Sequence, residues 1–269
     1  MDKKEKNQAA LIKELVIACG AADVGLCSFE RVKDHLIPCA AVKRLPKNAK
    51  TVICALFPYK VRHTAPENIC RYAAVPDYHF VCGGFLENAA TSLSKMFPHN
   101  TFSCFTDNSP IPEVYAAAAA GLGVIGKNGL LISKKYGSFV FIGEIVTDLK
   151  FDTDDINPQS CLNCGKCEAA CPVGLDKEKC LSKITQKRQE LSASEANLIK
   201  LVGCVWGCDI CANVCPKNAD SALTQISEFI GGYRHRYILG EDMQSRAYAW
   251  RGEGVITRNA KLLESKKGE

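Results

Sequence analysis

Two short cysteine runs constrain this chain more than any other feature of its sequence. The first run has the spacing C-x2-C-x2-C-x3-C-P, and the second, which lacks the first cysteine, keeps C-x2-C-x3-C-P. Two-residue gaps wrap a tight loop around one metal cluster, and the cysteine after the three-residue gap serves a second cluster. The pattern therefore predicts a pair of [4Fe–4S] clusters in an electron-handling protein. The cysteines of the two runs are Cys161, Cys164, Cys167 and Cys171, followed by Cys208, Cys211 and Cys215.

The same spacing divides the cysteines between the two clusters. Three cysteines of the first run and the last of the second are expected to hold one cluster: Cys161, Cys164, Cys167 and Cys215. The other cluster is expected to take Cys171, Cys208 and Cys211. A cubane cluster is held by four thiolates, so one ligand is missing from the runs. Cys180 and Cys204 are both candidates for it.

Zinc and disulfides are the alternative explanations for so many cysteines. Structural zinc sites close with four ligands and usually show paired C-x2-C knuckles, which the interlocked runs do not match. Disulfides need an oxidising compartment, whereas the N-terminus MDKKEKNQAALIKEL is charged and amphipathic, unlike a secretory signal. We therefore expect a reduced, cytoplasmic protein with iron–sulfur clusters.

Size and composition bound the remaining possibilities. The chain has 269 residues, of which 47% are hydrophobic, so it is long and apolar enough to bury a full core. No apolar stretch approaches the ~20 residues of a membrane-spanning helix, and no membrane partner is expected. The net charge of +5 permits an anionic partner such as RNA without demanding one.

Alternating helix and strand patterns over residues 1–150 predict an α/β or α+β domain. A polar stretch, 151–160, is the expected linker into a cluster domain that ends near residue 219. The tail, 220–269, carries scattered arginines and is expected to be mainly a solvated face. The predicted helices are 7–19, 79–97 and 112–123, and the predicted strands are 51–59, 101–107 and two within 129–149 around a turn at 134–137.

One segment of the first domain has two interpretations. AGLGVIGKNG, residues 120–129, is glycine-rich but follows a helix instead of opening one. It is either the end of that helix with a turn, or backbone left open for the close approach of a flat ligand.

Three segments together resemble the epoxyqueuosine reductase family: RYAAVPDYH (71–79), TDNSPIPEVYAAAAAGLGVIGKNGLLISKKYGSFVFIGEIVTD (106–148) and GCDICANVCPKN (207–218). The resemblance covers roughly residues 10–220. It implies an α+β protein with a nitroreductase-like cobalamin-binding domain, followed by a ferredoxin-type domain with two [4Fe–4S] clusters. It also implies an oxidoreductase that reduces epoxyqueuosine to queuosine in tRNA. The alternatives are a related corrinoid iron–sulfur reductase acting on a small molecule or protein, and an electron-transfer module.

The resemblance also implies roles for individual residues. Asp107 matches the family's general acid, although D-N-S-P by itself favours a simple turn. Cys180 matches the family's last ligand of the second cluster and is preferred over Cys204 on that ground. The residues expected to contact cobalamin are Arg71, Tyr78, His79, Lys127, Asn128, Gly137 and Ser138.

The implied partners are tRNA and a reduced electron donor of the flavodoxin or ferredoxin type. Members of the family are typically longer, with helical repeats after the cluster domain that help to grip tRNA. This chain is therefore expected to be a short form. Basic residues of the tail could replace part of that surface, although a solvated face is the more usual role of such a tail.

Overall fold

The computed structural model describes residues 3–62, 67–153 and 155–264, and only the backbone of residues 3–7. The chain divides into two compact units, which we call the sheet unit and the cysteine unit. The sheet unit comprises Met1–Pro58 and Tyr78–Asn163, and the cysteine unit comprises Tyr59–Asp77 and Cys164–Glu269. The boundaries of these units differ from the domain boundaries expected from the sequence, because residues 59–77 and 220–269 both belong to the cysteine unit.

Helices and strands are interspersed along the sheet unit, and the elements of the cysteine unit are mostly short helices. The α-helices are α1 (Lys3–Ala18), α2 (Arg71–Ala74), α3 (Tyr78–Met96), α4 (Glu113–Ala119), α5 (Lys166–Ala170), α6 (Leu181–Thr185), α7 (Ala193–Val202), α8 (Ile210–Asn213), α9 (Ser227–Gly231) and α10 (Glu253–Glu264). The strands are β1 (Asp23–Ser28), β2 (Thr51–Pro58), β3 (Phe102–Thr106), β4 (Val124–Ile125), β5 (Leu131–Ile132) and β6 (Val140–Thr147). Single 3-10 turns occupy Phe29–Arg31, Lys33–His35, Ala40–Arg44, Pro216–Asn218 and Ala249–Arg251.

The sheet unit is built on four antiparallel strands in the order β1-β2-β6-β3. Every residue of β2 is buried, as its unbroken apolar sequence predicts. All strand pairs described are antiparallel, with helices beside them, which agrees with the α+β class. The central strand β6 places Glu144 between Cys54 on β2 and Phe105 on β3. A carboxyl group thus sits in the middle of the sheet.

Small residues bring α4 close to this sheet. The alanines of α4 are fully buried in the same core as Cys54 and Val146. Gly25 on β1 permits the contact, because an added Cβ would lie 2.2 Å from the carbonyl oxygen of Ala120. The short side chains on both sides let backbone approach backbone, so the end of α4 lies close against β1.

One boundary of the predicted elements was wrong. The alanine-rich helix ends at Ala119, earlier than predicted, because the following Gly121 adopts a left-handed φ of 79°. The two strands predicted within 129–149 are present as β5 and β6, and they belong to different sheets. β5 pairs with β4 in a separate two-stranded sheet, while β6 joins the main sheet.

The cysteine unit has an aromatic core to which the tail contributes. Trp206, Tyr237 and Tyr248 pack with Ile256 of α10, and all four are buried. Asn259 of α10 is also fully buried and donates its amide N–H groups to the carbonyls of Thr185 (2.8 Å) and Val205 (2.9 Å). The expectation that the tail is mainly a solvated face was therefore wrong.

A charged side chain of the tail is also buried in this unit. Arg246 is only 3% exposed and donates to the carbonyls of Gly232 (2.8 Å) and Ala74 (3.2 Å). The alternation of acids and arginines in this segment concealed its role in packing. No helix within the described ranges is long and apolar enough to cross a membrane.

Candidate active site and cluster-binding segments

Asp107 lies directly after β3, where the chain leaves the sheet and turns toward α4. Its φ of 62° is left-handed, a conformation that aspartate tolerates better than most residues. Ser109 then caps the turn, since its hydroxyl accepts the N–H of Ile111 at 3.1 Å. The turn interpretation of D-N-S-P is thus confirmed, and the turn leaves the Asp107 side chain 58% exposed.

The first turn of α3 supplies the partner of this carboxylate. His79 Nε2 lies 3.3 Å from Asp107 Oδ2. The Tyr78 ring stacks on His79 at 4.2 Å and on Phe141 of β6 at 4.1 Å, measured between ring centroids. The hydrogen bond from His79 is the largest cause that lowers the pKa of Asp107, and burial opposes it. Asp107 is therefore an anion at neutral pH, held beside an imidazole.

A cavity of about 180 Å³ opens beside Asp107. Its walls are mainly apolar, from Leu130, Leu131, Val140 and Ile142, with polar groups from Asp107, Glu113 and Ser138 among others. The volume is below the ~300 Å³ typical of small-molecule pockets, so it fits a fragment of a ligand and not a whole macrocycle.

Two acidic residues near this cavity escaped the sequence analysis. Glu113 begins α4 and lines the cavity, and Glu144 is fully buried on β6. Burial is the largest cause that raises the pKa of Glu113 to about 8 and that of Glu144 well above its usual range. A single acid inside the apolar strand VFIGEIV was the available signal for Glu144. No comparable sequence signal marks Glu113, because an acid in the first turn of a helix is common.

Three of the residues expected to contact cobalamin meet at one place in the sheet unit. Tyr78, His79 and Ser138 lie around the cavity and its Asp107. Gly137, before Ser138, has a left-handed φ of 59° and pairs with Ser133.

Lys127 and Asn128 occupy a different place in the sheet unit. The backbone N–H of Lys127 donates to Cys161 Sγ at 3.3 Å, and Asn128 Oδ1 accepts the N–H of Leu130. Arg71 belongs to the cysteine unit, where its backbone N–H donates to the half-buried Asp209 carboxylate at 2.7 Å. Its guanidinium group faces Asn213 Oδ1 at 3.4 Å.

The glycine-rich segment before Lys127 supports the turn interpretation. A Cβ added to Gly123 would lie 2.5 Å from the carbonyl oxygen of Ile132, and one added to Gly126 would lie 2.3 Å from Asn128 Oδ1. These glycines are needed for contacts within the chain itself. They leave no open backbone for a flat ligand at either position.

The first cysteine run begins at the end of the sheet unit. Backbone N–H groups of Asn163 and then of Lys127 are the main causes that lower the pKa of the Cys161 thiol. Asn163 and Gly165 both adopt left-handed conformations, with φ of 49° and 74°, so the backbone bends sharply between the cysteines. Such N–H donors favour a thiolate, the form that binds metal.

In the cysteine unit, two of the expected ligands, Cys180 and Cys211, act on the pKa of a third, Cys208. Burial, opposed by a backbone N–H and reinforced by the thiols of Cys211 and Cys180, raises the pKa of Cys208 to about 11. Cys204 is engaged elsewhere, because its thiol donates to the carbonyls of Trp206 (3.2 Å) and Gly207 (3.4 Å). In the part of the chain that the structure describes, no three Cys, His, Asp or Glu side chains are arranged to bind a single metal ion.

Comparison with known proteins supplies the family. The family model described as "Epoxyqueuosine reductase QueG, DUF1730" matches residues 40–108. An epoxyqueuosine reductase of Gloeobacter violaceus is 35% identical over 188 residues, which are 66% of this chain and 59% of that protein. The matching part of this chain thus spans less than two thirds of that relative's length.

A solved structure shares the fold. It is a crystal structure of epoxyqueuosine reductase with an epoxyqueuosine-modified tRNA-Tyr stem loop, with a TM-score of 0.82 and 21% identity over 96% of this chain and 81% of that one. An epoxyqueuosine reductase of Synechocystis is 35% identical over 201 residues, covering 70% of each protein. That extent of identity shows that the chain belongs to the epoxyqueuosine reductase family.

Proposed function

We propose that this protein reduces epoxyqueuosine to queuosine in tRNA. The reaction opens an epoxide, releases its oxygen as water and leaves an alkene, which consumes two electrons and two protons. The observation that carries the proposal is the hydrogen-bonded pair His79–Asp107 on the wall of a small cavity, in a chain of this family. A general acid beside the leaving oxygen contributes typically 10²–10⁴-fold to such a reaction.

The tRNA partner is proposed because a crystal structure of similar fold holds epoxyqueuosine reductase with an epoxyqueuosine-modified tRNA stem loop. The net charge of +5 is compatible with a polyanionic substrate. The small cavity would take the modified ring of the base, with the rest of the RNA outside it. A reduced flavodoxin- or ferredoxin-type donor in the cytoplasm remains our proposal for the source of electrons.

Two [4Fe–4S] clusters are proposed on the seven cysteines of the two runs together with Cys180. The donor chemistry fits, since the runs have ferredoxin spacing and Cys161 receives the N–H donors that a cluster thiolate accepts. Cys180 is preferred as the last ligand because it matches the family's ligand position, whereas the thiol of Cys204 donates to the backbone carbonyls of Trp206 and Gly207. The proposed sets are Cys161, Cys164, Cys167 and Cys215 for one cluster, and Cys171, Cys180, Cys208 and Cys211 for the other.

Cobalamin is the proposed reductant, in a nitroreductase-like sheet unit. The stacked rings of Tyr78 and His79, with Gly137 and Ser138, offer an apolar wall with polar edges that fits part of a flat macrocycle. When bound, cobalamin would supply low-valent cobalt, and the clusters would feed it electrons one at a time. Contacts from Arg71, Lys127 and Asn128 remain proposals that rest on the family resemblance.

The chain's own residues manage the proton at this site. Asp107 is ionised at rest, and His79 lowers its pKa further, so it must first take a proton, which a protonated His79 can give across the 3.3 Å contact. Its left-handed turn then presents the carboxyl group toward the cavity wall. Tyr78 fixes the ring of His79 by stacking, which preserves this alignment.

The test is complementation of a bacterial strain that lacks its own epoxyqueuosine reductase. We expect tRNA from the complemented strain to contain queuosine in place of epoxyqueuosine. An Asp34→Asn variant, changed at an exposed acid of the same unit, is the matched control for Asp107→Asn and should behave as the unmodified protein. Persistence of epoxyqueuosine with cluster- and corrinoid-loaded protein would contradict the proposal.

A further inference from the structure

The proposed reaction needs two protons for each oxygen removed, and the His79–Asp107 pair is arranged to deliver one. Asp107 is hydrogen-bonded to His79 and Tyr78, and its one carboxyl group can carry one proton at a time. Breaking both carbon–oxygen bonds of an epoxide converts its oxygen into water, which requires a second O–H bond to form. A further acid that is still protonated at neutral pH is therefore expected within reach of the same cavity.

We propose that Glu113 is this second proton donor. The inference rests on the proposed function for the identity of the acceptor, the oxygen that leaves the modified base. In the step, the O–H bond of the Glu113 carboxyl breaks and an O–H bond to the departing hydroxyl forms. The electrons come from the reductant of the proposed function, and the Glu113 carboxylate regains its proton from solvent through the cavity.

The position of Glu113 suits this role. It lines the same cavity as Asp107, although it comes from α4 and Asp107 comes from the turn after β3. Its carboxyl group accepts the backbone N–H of Asp107, which ties the two acids together. Within the described residues, its Oε1 atom is buried and has no hydrogen-bond partner. That oxygen is thus left to carry a proton.

The surroundings favour the neutral acid. The charge of Glu113 acts on Glu144, which is fully buried on β6, and the Ser109 hydroxyl is the hydrogen-bonding partner of the Glu144 carboxyl group. The other groups that act on this pair are Asp107, His79 of α3, Ser109 of the turn, Cys27 of β1 and Cys54 of β2. Among the described residues, no lysine or arginine is a cause of the pKa shift of Glu113 or Glu144.

The electrostatics agree with the geometry. Burial, followed by the charge of Asp107, raises the pKa of Glu113 to about 8. An acid is most effective when its pKa lies near the working pH. Asp107 and Glu113 therefore rest in different protonation states. Asp107 is an anion that must first take a proton from His79, whereas Glu113 already holds its proton.

The first experiment needs no substrate. Infrared difference spectra of the anaerobic holoprotein, titrated with alkali, should show the carbonyl band of a protonated carboxyl group that disappears near pH 8. The band should persist in Glu30→Gln, a control at an exposed acid of the sheet unit, and be lost in Glu113→Gln. A titration that is the same in Glu113→Gln as in the unmodified protein would overturn the inference.

The second experiment measures turnover of epoxyqueuosine-containing tRNA against pH. In the unmodified protein and in Glu30→Gln, kcat should fall as pH rises through about 8, because the donor loses its proton. Glu113→Gln should lower kcat about 100-fold or more and remove this alkaline limb, with KM little changed. Glu113→Asp, which keeps a carboxyl group, should restore part of the rate and the limb, as a merely structural role would not.

The outcomes separate the two proposals. If the unmodified protein shows the infrared band but does not convert the tRNA, the proposed function fails and the donor role fails with it. If it converts the tRNA and the pH profile of Glu113→Gln runs parallel to that of the unmodified protein, the proposed function stands and Glu113 is not a proton donor.

Discussion

The two units of this protein position their functional groups by different physical means. In the sheet unit, Asp107 and Glu113 are held by a buried sheet and an alanine-packed helix, so packing alone fixes the acids. In the cysteine unit, Cys167 lies on α5 and Cys211 on α8, helices of five and four residues, while Cys164 is exposed. Helices this short are not stable by themselves. The acid site is thus built by the fold, whereas the sulfur ligands are expected to reach their final arrangement when metal binds.

The largest expected effect tests whether the acid site is independent of the metal centres. Asp107→Asn should lower turnover by about 10²–10⁴-fold, because the amide cannot act as the general acid. Iron and cobalt content should stay unchanged, since the sheet unit is fixed by packing. Anaerobic assays and metal analysis, with Asp34→Asn as control, check both parts. Loss of iron in Asp107→Asn would break the distinction between the units.

The next effect distinguishes the two candidate ligands of the second cluster. Cys180→Ser should lose about half of the iron, because one of two equal clusters loses a ligand. Cys204→Ser should keep its iron, since that thiol donates to the Trp206 and Gly207 carbonyls. Iron and sulfide analysis after anaerobic reconstitution measures the difference. The opposite pattern would assign Cys204 to the cluster.

A smaller effect concerns packing beside the second run. Gly203 and Gly207 share a φ of 73°, but only at Gly207 would a Cβ meet another atom, Cys70 Sγ at 2.0 Å. Gly203→Ala should cost about 1 kcal/mol of unfolding free energy through its φ alone. Gly207→Ala should cost clearly more, as it adds a collision with buried side chains. Denaturant unfolding of the two variants provides the comparison, and equal losses would show that metal binding, not packing, dominates this region.

The smallest effect is a pH dependence of stability in the sheet unit. Burial raises the pKa of Glu144 well above the 4.5 of a free glutamate, so the folded protein keeps a proton that the unfolded chain releases. Its contribution to unfolding free energy therefore falls as pH rises above about 4.5. Glu144→Gln removes this dependence, and its Tm relative to the unmodified protein should rise between about pH 5.5 and pH 8. A constant difference in Tm would contradict the assignment of a buried neutral acid.

The sequence was most informative where one local pattern determines the structure. The apolar run of β2 and the regular spacing of α3 predicted those elements nearly to the residue, since burial demands such patterns. The cysteine motif predicted ligand sets because cluster ligation depends on spacing along the chain. Asp107 was identified through the family resemblance, not through its local sequence.

The rest depended on contacts between distant segments. Glu113 and Glu144 are 31 positions apart in the numbering and meet only because α4 packs over β6. The burial of Arg246 and Asn259 likewise depends on carbonyl groups far away in the chain. No periodicity of the tail indicates such partners, which explains why it was taken for a solvated face.

The most direct test of the account is nucleoside analysis of epoxyqueuosine-containing tRNA after incubation with the anaerobically prepared, chemically reduced holoprotein. We predict that queuosine appears with the unmodified protein and that almost none forms with Asp107→Asn carrying the same iron and cobalt. Unchanged epoxyqueuosine with fully loaded, unmodified protein, or equal conversion by Asp107→Asn, would contradict it.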